Sequence, residues 1–571
     1  MGAISTKIAS SPNKQLARRI FGIYAVLAGL HMAIKLAIFA RLYLRFRKAT
    51  AHLSGSLFSW SGIEFAHNFP RFTDFCAEAV KPHQREDLIV WQGNMREILF
   101  LSQPAVKFML KDEFAHITKT GDEDELFVLL KEFIGDSIFT LRHGEENPGD
   151  HNRWYRQRKA AALIFTKSKF SNMMFGVFEA KARIMLKTLE NAAKENAKMK
   201  TNDKYKGAVA VDMQEKFFAF TFDSIQKIFF GDDVDTVSGR DRDDAAIAFD
   251  GTHRAMMRCI IKQAPLLLLL QILPFPFGAL RSDRLWTSPC YQILRLVHPD
   301  HREFSFHRNN LHRITREKVQ QLRSDPNLAD RKDLISNFIN HDKSFAAKNG
   351  QSESIGWTDE ELLAIVLNFI IAGRDTTACT LTWLFYELSV NKDVQEKLQA
   401  EIDTLGDRSP TYEEIVNGMP YLNGCLFETL RMHPPVPQDI KLATKDLEYL
   451  DGTKIPKGSR LIFHPYSMGR DEERYPDALK FKPERWIPFT EPDPFEFPVF
   501  QAAYRSCLGR DMAKFEAKLL TAMLLQKFTF DLEANEDPNV ICPTVALTMS
   551  LCNSSDQSSH KLWLVPRLRE V

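Results

Sequence analysis

The sequence has no C-x-x-C pair, no G-x-G-x-x-G stretch, no internal repeat and no Gly/Ser-rich linker, and its charges almost cancel. Each absence excludes something. The eight cysteines (Cys76, Cys259, Cys290, Cys379, Cys425, Cys507, Cys542 and Cys552) are scattered, which argues against a zinc site or a disulfide framework. The pattern suits a reducing compartment in which one thiolate does chemistry and the others are small buried hydrophobes. Without a dinucleotide fingerprint or a flavin domain, any electrons the chain uses come from another protein. The 75 Lys+Arg against 73 Asp+Glu leave a net charge of +2, so no nucleic-acid partner is expected. With no linker between Trp60 and Val571, residues 51–571 read as one continuous domain after an N-terminal segment of residues 1–50.

What is present is a chain of 44% hydrophobic and 26% charged residues, enough for a well-cored body. Ile20 to Ala40 is apolar over the length of a bilayer, interrupted by His31 and by Lys35, which can snorkel. Lys14, Arg18 and Arg19 precede it; Arg41, Arg45, Arg47 and Lys48 follow. No small-residue cleavage site follows, so the segment reads as a single-pass membrane anchor over about residues 20–40 rather than a cleaved signal. The denser basic cluster after the span favours a cytosolic body. A second apolar stretch, Pro265 to Phe277, is too short and Pro-rich to span. It reads equally as core or as a membrane-contacting insertion over about residues 262–289.

Helical patterns dominate the rest. Thr358-Asp-Glu-Glu361 is a capping box, and its helix should run toward Asn391. Thr411 to Glu414 repeats that signature before a second helix. A third begins near Pro420 and must stop before Pro434-Pro435. Leu447–Leu450, the turn Asp451-Gly452 and Arg460–Phe463 read as a hairpin. An amphipathic helix follows Gly509 to about Phe528, and Ala546–Leu551 reads as a late strand. The expected class is mainly α with minor β.

The chemistry gathers at Phe500-Gln-Ala-Ala-Tyr-Arg505-Ser-Cys507-Leu-Gly509. A cysteine opening a helix meets backbone N–H groups and the positive end of the dipole, which favour a thiolate. An isolated cysteine is more often inert core, so the case rests on its surroundings. Glu428 and Arg431 share one helix face at i and i+3. Ala372-Gly373-Arg374-Asp375-Thr376-Thr377 places a glycine in mid-helix at a cost of about 1 kcal/mol, which tight packing or a local opening would explain. Trp154 and Arg158 lie one helical turn apart.

These motifs, in this order, resemble the cytochrome P450 family from about Phe65 to the C-terminus. The cysteine loop is similar to F-x-x-G-x-R-x-C-x-G at Phe500, Arg505, Cys507 and Gly509. It departs at Ala503, where the family has Gly and a positive φ is expected. Glu428-x-x-Arg431 and Pro483-Glu-Arg485-Trp resemble the family's structural triad of Glu428, Arg431 and Arg485. AGRDTT resembles its oxygen-binding motif, and Trp154-Tyr-Arg-Gln-Arg158 its W-x-x-x-R.

The resemblance implies a helix-rich haem-thiolate domain holding haem b, with Cys507 as the iron ligand. Such a thiolate pushes electron density onto the iron and favours O–O cleavage. Arg505, Trp154, Arg158 and Lys441 would meet the propionates, which want cationic, forked donors. Phe500 and Gly509 would complete the cradle. Asp375 and Thr376 would be the catalytic acid–alcohol pair that relays protons. Ile371, Ala372, Val436, Pro437, Val545 and Leu547 would line the substrate channel, although core packing explains each of them equally by composition.

Arg374 within AGRDTT, Ser467-Met-Gly-Arg470 and Cys507-Leu-Gly-Arg-Asp-Met-Ala513 resemble the fatty-acid and alkane ω-hydroxylases of plants and fungi. This implies a monooxygenase acting on a lipophilic small molecule at the endoplasmic reticulum membrane. Electrons would come indirectly from NADPH through NADPH-cytochrome P450 reductase, with cytochrome b5 as an optional second donor. The open alternatives are a xenobiotic or sterol hydroxylase, a reductase-independent isomerase or peroxygenase, and a haem-binding sensor or carrier.

Overall fold

The capping box at Thr358 forms as its spacing predicts. Glu361 N–H donates to the Thr358 hydroxyl at 3.1 Å, and the Glu361 carboxylate accepts from Thr358 N–H at 3.0 Å. The helix it opens crosses the whole protein. In the computed structural model the described residues are 43–53, 72–92, 96–121, 125–144, 147–162, 165, 173–198, 208–240, 243–272, 295–340, 356–533, 536–544, 547–553 and 560–569, with isolated positions between 22 and 41.

The main helices are α1 (Phe72–Val80), α2 (Glu125–Ile134), α3 (Pro148–Ala162), α4 (Phe175–Ala197), α5 (Met213–Phe230), α6 (Asp244–Ile272) and α7 (Pro299–Arg323). They continue with α8 (Asp359–Ile370), α9 (Thr376–Val390), α10 (Lys392–Ile402), α11 (Pro420–Met432) and α12 (Arg510–Lys527). One widened turn, Ile371–Asp375, joins α8 to α9. Among the described residues this joined helix alone is long and apolar enough to cross a membrane, but 83% of its apolar window is buried in the protein, which makes it the core helix. Leu363, Val366, Leu367, Leu381, Leu384 and Leu388 along it pack into the main core with Phe217, Phe220 and Phe229 of α5 and Leu519, Leu520 and Leu524 of α12.

The strands are β1 (Leu88–Gln92), β2 (Glu97–Phe100), β3 (Ile117–Lys119), β4 (Val211–Asp212), β5 (Asp439–Ala443), β6 (Leu447–Glu448), β7 (Lys454–Ile455) and β8 (Arg460–Phe463). Four more follow: β9 (Phe528–Leu532), β10 (Ile541–Pro543), β11 (Leu551–Asn553) and β12 (Trp563–Leu568). The largest sheet has the order β1-β2-β8-β5-β3 and the next has β4-β12-β9. Only β2 and β8 pair in parallel within the first sheet. Phe46 is fully buried in the cluster beside that sheet, with Phe100, Tyr449 and Phe463, so packing of the body reaches back before residue 51.

Three expectations change. The Asp451-Gly452 turn exists, with Gly452 at φ +86°, but its second arm is β7. Pro456 follows that arm, and Arg460–Phe463 runs instead between β2 and β5. Thr411 and Glu414 make their capping contacts, yet they cap only a short turn ending at Gly418, because Pro420 opens a new helix at once. The late strand is limited to Leu551–Asn553; Ala546 and Val545 lie outside the described residues. α6 continues as helix through Pro265 to Ile272, while the rest of the 262–289 stretch and most of the 20–40 segment lie outside the described residues.

Candidate active site

The cysteine loop is shaped by two residues with left-handed backbone, Gln501 (φ +59°) and Ala503 (φ +49°). The chain then makes a 3-10 turn over Ala503–Arg505 and enters α12 at Gly509. Cys507 N–H donates to Phe500 carbonyl at 2.8 Å and closes the loop. The departure from glycine at position 503 therefore leaves the loop conformation in place and puts an alanine where a Cβ is disfavoured. Gly509 faces no crowding from the protein: a Cβ there would meet only Phe165, at an ordinary 3.8 Å.

Cys507 has an exposed surface, and yet surrounding protein raises its thiol by desolvation. Gly509 N–H, Arg158 and Arg510 act in the opposite direction and favour the thiolate. The Arg158 guanidinium donates to Ser506 carbonyl, one residue before the cysteine.

Next to it Arg505 lies over the Trp154 ring, 4.4 Å from its centroid. Arg505 donates to Ile138 carbonyl (2.9 Å), Leu141 carbonyl (3.2 Å) and His143 Nδ1 (2.7 Å). His143 stacks on Phe114 at 3.7 Å, and burial, then Arg505, pushes its imidazole down to about 2. Desolvation, then Arg158, lowers Arg505 to about 9. Arg505 Nε and Trp154 Nε1 are buried without a hydrogen-bond partner. Two unused buried donors and a guanidinium strained by a second one make a site that wants an anion.

Lys441 lies beside this group. Its ammonium is buried on β5 and paired with Asp439 at 2.5 Å, and Lys119 reaches the same carboxylate at 3.3 Å. Gln501 of the cysteine loop also donates to Asp439. Burial raises the Asp439 carboxyl, and Lys119 and Lys441 more than reverse this, holding it well below the ordinary carboxylate range.

On the core helix, Thr376 Oγ1 donates to Ala372 carbonyl at 2.5 Å, inside the widened turn. Asp375 is fully buried, 3.1 Å from Arg374 and 3.6 Å from His253 Nδ1 on α6. Arg374 is bound in turn by Asp250 at 2.7 Å and enclosed by Phe218, Phe222 and Phe249. Asp375 Oδ2 and His253 Nε2 have no hydrogen-bond partner. Burial raises the Asp375 carboxyl and lowers the His253 imidazole, so both lean toward their neutral forms. Gly373 packs tightly: a Cβ there would sit 2.6 Å from Ile225 Cδ1 of α5. The glycine thus serves helix contact within the widened turn.

Glu428 and Arg431 are fully buried and pair through two contacts, at 2.7 and 2.8 Å. Arg485 Nε (3.0 Å), Trp486 Nε1 (3.0 Å) and Lys482 N–H (2.9 Å) complete the Glu428 carboxylate. Arg431 also donates to Gly469 and Ala478 carbonyls, at 2.5 and 2.8 Å. A Cβ at Gly469 would collide with Arg431 carbonyl at 2.2 Å, and Arg470 stacks 3.3 Å over Tyr466 and donates to Met432 carbonyl at 2.6 Å. The S-M-G-R stretch therefore clamps the end of α11.

Of the expected channel residues, Ile371 is buried, Ala372 and Leu547 are half-buried, Pro437 is half-buried and Val436 is exposed. Met549 N–H donates to Pro435 carbonyl at 2.8 Å, and Trp383 Nε1 donates to Met549 carbonyl at 2.9 Å. These bonds bring the turn carrying Leu547 against both the Pro434-Pro435 break and the core helix.

With this geometry on the page the comparisons are decisive. The Cytochrome P450 family profile matches residues 85–553. The chain is a cytochrome P450. Among its relatives, Cytochrome P450 704C1 of Pinus taeda is 29% identical over 501 residues, covering 82% of this chain and 85% of the relative. Cytochrome P450 CYP94D108 of Paris polyphylla is 28% identical over 486 residues, 81% of this chain and 84% of that one. Cytochrome P450 86B1 of Arabidopsis thaliana is 26% identical over 482 residues, 80% and 76% of the two chains.

This P450 is thus a monooxygenase of a haem b family that draws electrons from NADPH through a reductase. The unused donors of Trp154 and Arg505, the paired cations and the room over Gly509 fit haem and its propionates. His143, Asp439, Asp250 and His253 went unseen in the sequence, because each meets its site partners across elements distant in the chain; Asp250 and His253 share α6 but reach Arg374 and Asp375 on the core helix.

Proposed function

We propose that this P450 hydroxylates an unactivated C–H bond of a long-chain fatty acid or alkane, at or near the chain end. The reading is supported by the bonds from Met549 N–H to Pro435 carbonyl and from Trp383 Nε1 to Met549 carbonyl, which set the turn of Leu547 and the Pro434-Pro435 break beside the core helix that carries Ile371 and Ala372, all of them apolar. Val545 belongs to the same proposed set by sequence. The AGRDTT and C-L-G-R-D-M-A stretches support the substrate class by resemblance. S-M-G-R supports it less, since Gly469 and Arg470 serve packing.

In this reading Cys507 holds the haem iron, and Arg505, Trp154 and Arg158 hold the propionates. Lys441 acts through Asp439, fixing the strand beside them. When bound, the haem supplies activation of dioxygen at its iron. The protein supplies protons and exclusion of water. Asp375, kept toward its neutral form by burial, is the acid, and Thr376 Oγ1 passes a proton onward from the widened turn. Glu428, Arg431 and Arg485 brace the core and take no part in proton transfer. The electron donor is an external NADPH-cytochrome P450 reductase. The body is cytosolic and is held at the endoplasmic reticulum membrane by residues 20–40.

The test uses the full chain with its haem. A reduced carbon-monoxide spectrum gives a far-red Soret band that Cys507→Ala removes. Titration with fatty acids and alkanes, then product analysis with reductase and NADPH, reads the substrate. Reductase-dependent turnover of a sterol or xenobiotic with none of any lipid chain overturns the substrate class.

A further inference from the structure

The hairpin of β10 and β11 sets Cys542 directly opposite Cys552. Their sulfurs lie 3.3 Å apart. Directly opposed residues of an antiparallel pair have Cα atoms about 4.5–5.5 Å apart, within the range of about 4.4–6.8 Å that a disulfide spans. The backbone would not have to move.

The strands are held in this register from both sides. Thr544 N–H donates to Ser550 carbonyl at 2.9 Å across the turn. Gln214 of α5 grips Leu551, accepting from its N–H at 3.0 Å and donating to its carbonyl at 3.1 Å. Cys552 is buried, whereas Cys542 is half-buried and reachable. Cys76, Cys259, Cys379 and Cys425 are all buried.

We propose that Cys542 and Cys552 are a dithiol site oxidised by peroxide to a cross-strand disulfide. The Cys542 thiolate attacks one peroxide oxygen, the O–O bond breaks, and hydroxide leaves and takes up a proton to become water. The Cys542 sulfenic acid is then attacked by the Cys552 sulfur; the S–O bond breaks, the S–S bond forms, and the Cys552 proton leaves with the oxygen as a second water. Two thiols lose two electrons and two protons, and one peroxide becomes two waters. The order of attack follows from access, since Cys542 is half-buried and Cys552 is buried; the contact between the two sulfurs lowers the Cys542 thiol and raises that of Cys552. The turn inside the closed ring carries Leu547 and Met549, so oxidation staples the segment that meets Pro435 and the core helix.

The experiment exposes the haem-loaded full chain to a few equivalents of hydrogen peroxide, alkylates it under denaturing conditions and maps its peptides by mass spectrometry. The expected result is a linked species two hydrogens lighter that joins Cys542 to Cys552 and is reversed by dithiothreitol. These two thiols should be lost roughly tenfold faster than Cys76 or Cys425. In Cys552→Ser, Cys542 should accumulate as sulfenic acid trapped by dimedone; in Cys542→Ser, Cys552 should stay alkylatable. The wild-type map stands if a variant does not fold. The proposal is overturned if both thiols remain alkylatable, if either over-oxidises without linkage, or if either pairs with another cysteine.

Discussion

Replacing Ala503 with glycine should stabilise the protein, and the expected size follows from one angle. Ala503 sits at φ +49°, where its Cβ crowds the following carbonyl. A non-glycine residue there costs about 1–2 kcal/mol. The glycine variant recovers that strain but gives back about 0.5–1 kcal/mol, because its unfolded chain is freer. The net gain is about 1 kcal/mol. The loop has no other means to avoid the conformation, since Ser506 N–H and Oγ both donate to Ala503 carbonyl, at 3.1 and 2.8 Å. Ala503→Val supplies the sign control: a β-branched side chain at positive φ is a true outlier and should destabilise. Both variants retain Cys507, so each can be followed by the far-red Soret band of the reduced carbon-monoxide complex during urea unfolding. A glycine variant that loses the band earlier than wild type, or a valine variant that keeps it equally long, would refute the left-handed assignment of residue 503.

Asp375→Asn removes the buried acid while keeping its shape; product formed per NADPH should fall about 100-fold and the solvent isotope effect should rise, while substrate-induced spectral shifts persist. Glu428→Gln leaves the buried Arg431 guanidinium uncompensated, and chemical denaturation should show a loss of about 3–5 kcal/mol. His301 is fully buried on α7, and burial lowers its imidazole from 6.5 to about 4. Its folded form resists the proton that the unfolded chain binds, so stability present above pH 6.5 is lost as pH falls toward 4. Between pH 7 and pH 5 wild type should lose about 2 kcal/mol more than His301→Gln in urea titrations; equal losses would contradict the assignment.

Much of the site was legible because it is local in the chain. The Thr358 cap, the Pro420–Met432 helix, the Cys507 loop and the Glu428–Arg431 pair each declare themselves through spacings of three or four residues or through a proline. The positive φ at Ala503 was legible for the same reason: a family pattern with one missing glycine points at one torsion angle. What was illegible is what tertiary packing decides. Arg460–Phe463 reads as the second arm of the Asp451-Gly452 hairpin, but its apolar run is taken by β5, just upstream of that hairpin, and by β2 from a distant part of the chain. Lys441 reads by resemblance as a propionate contact, and only the fold shows that Asp439 pairs with it. Gly373 reads equally as tight packing or as a local opening, and only the fold brings Ile225 of another helix against it. The contact of Cys542 with Cys552 is hidden by a ten-residue gap that resembles no pairing motif.

Asp439 has a consequence of its own. It is the first residue of β5, two positions after Pro437, and its carboxylate is also the acceptor for Gln501 in the loop that ends at Cys507. A molecule that presses on Val436 and Pro437 therefore pulls on a tether whose other end is the Cys507 loop. Pressure at Val436 and Pro437 and strain at the Cys507 loop become one mechanical event, so the spectral response to a bound molecule should track how far it displaces that strand.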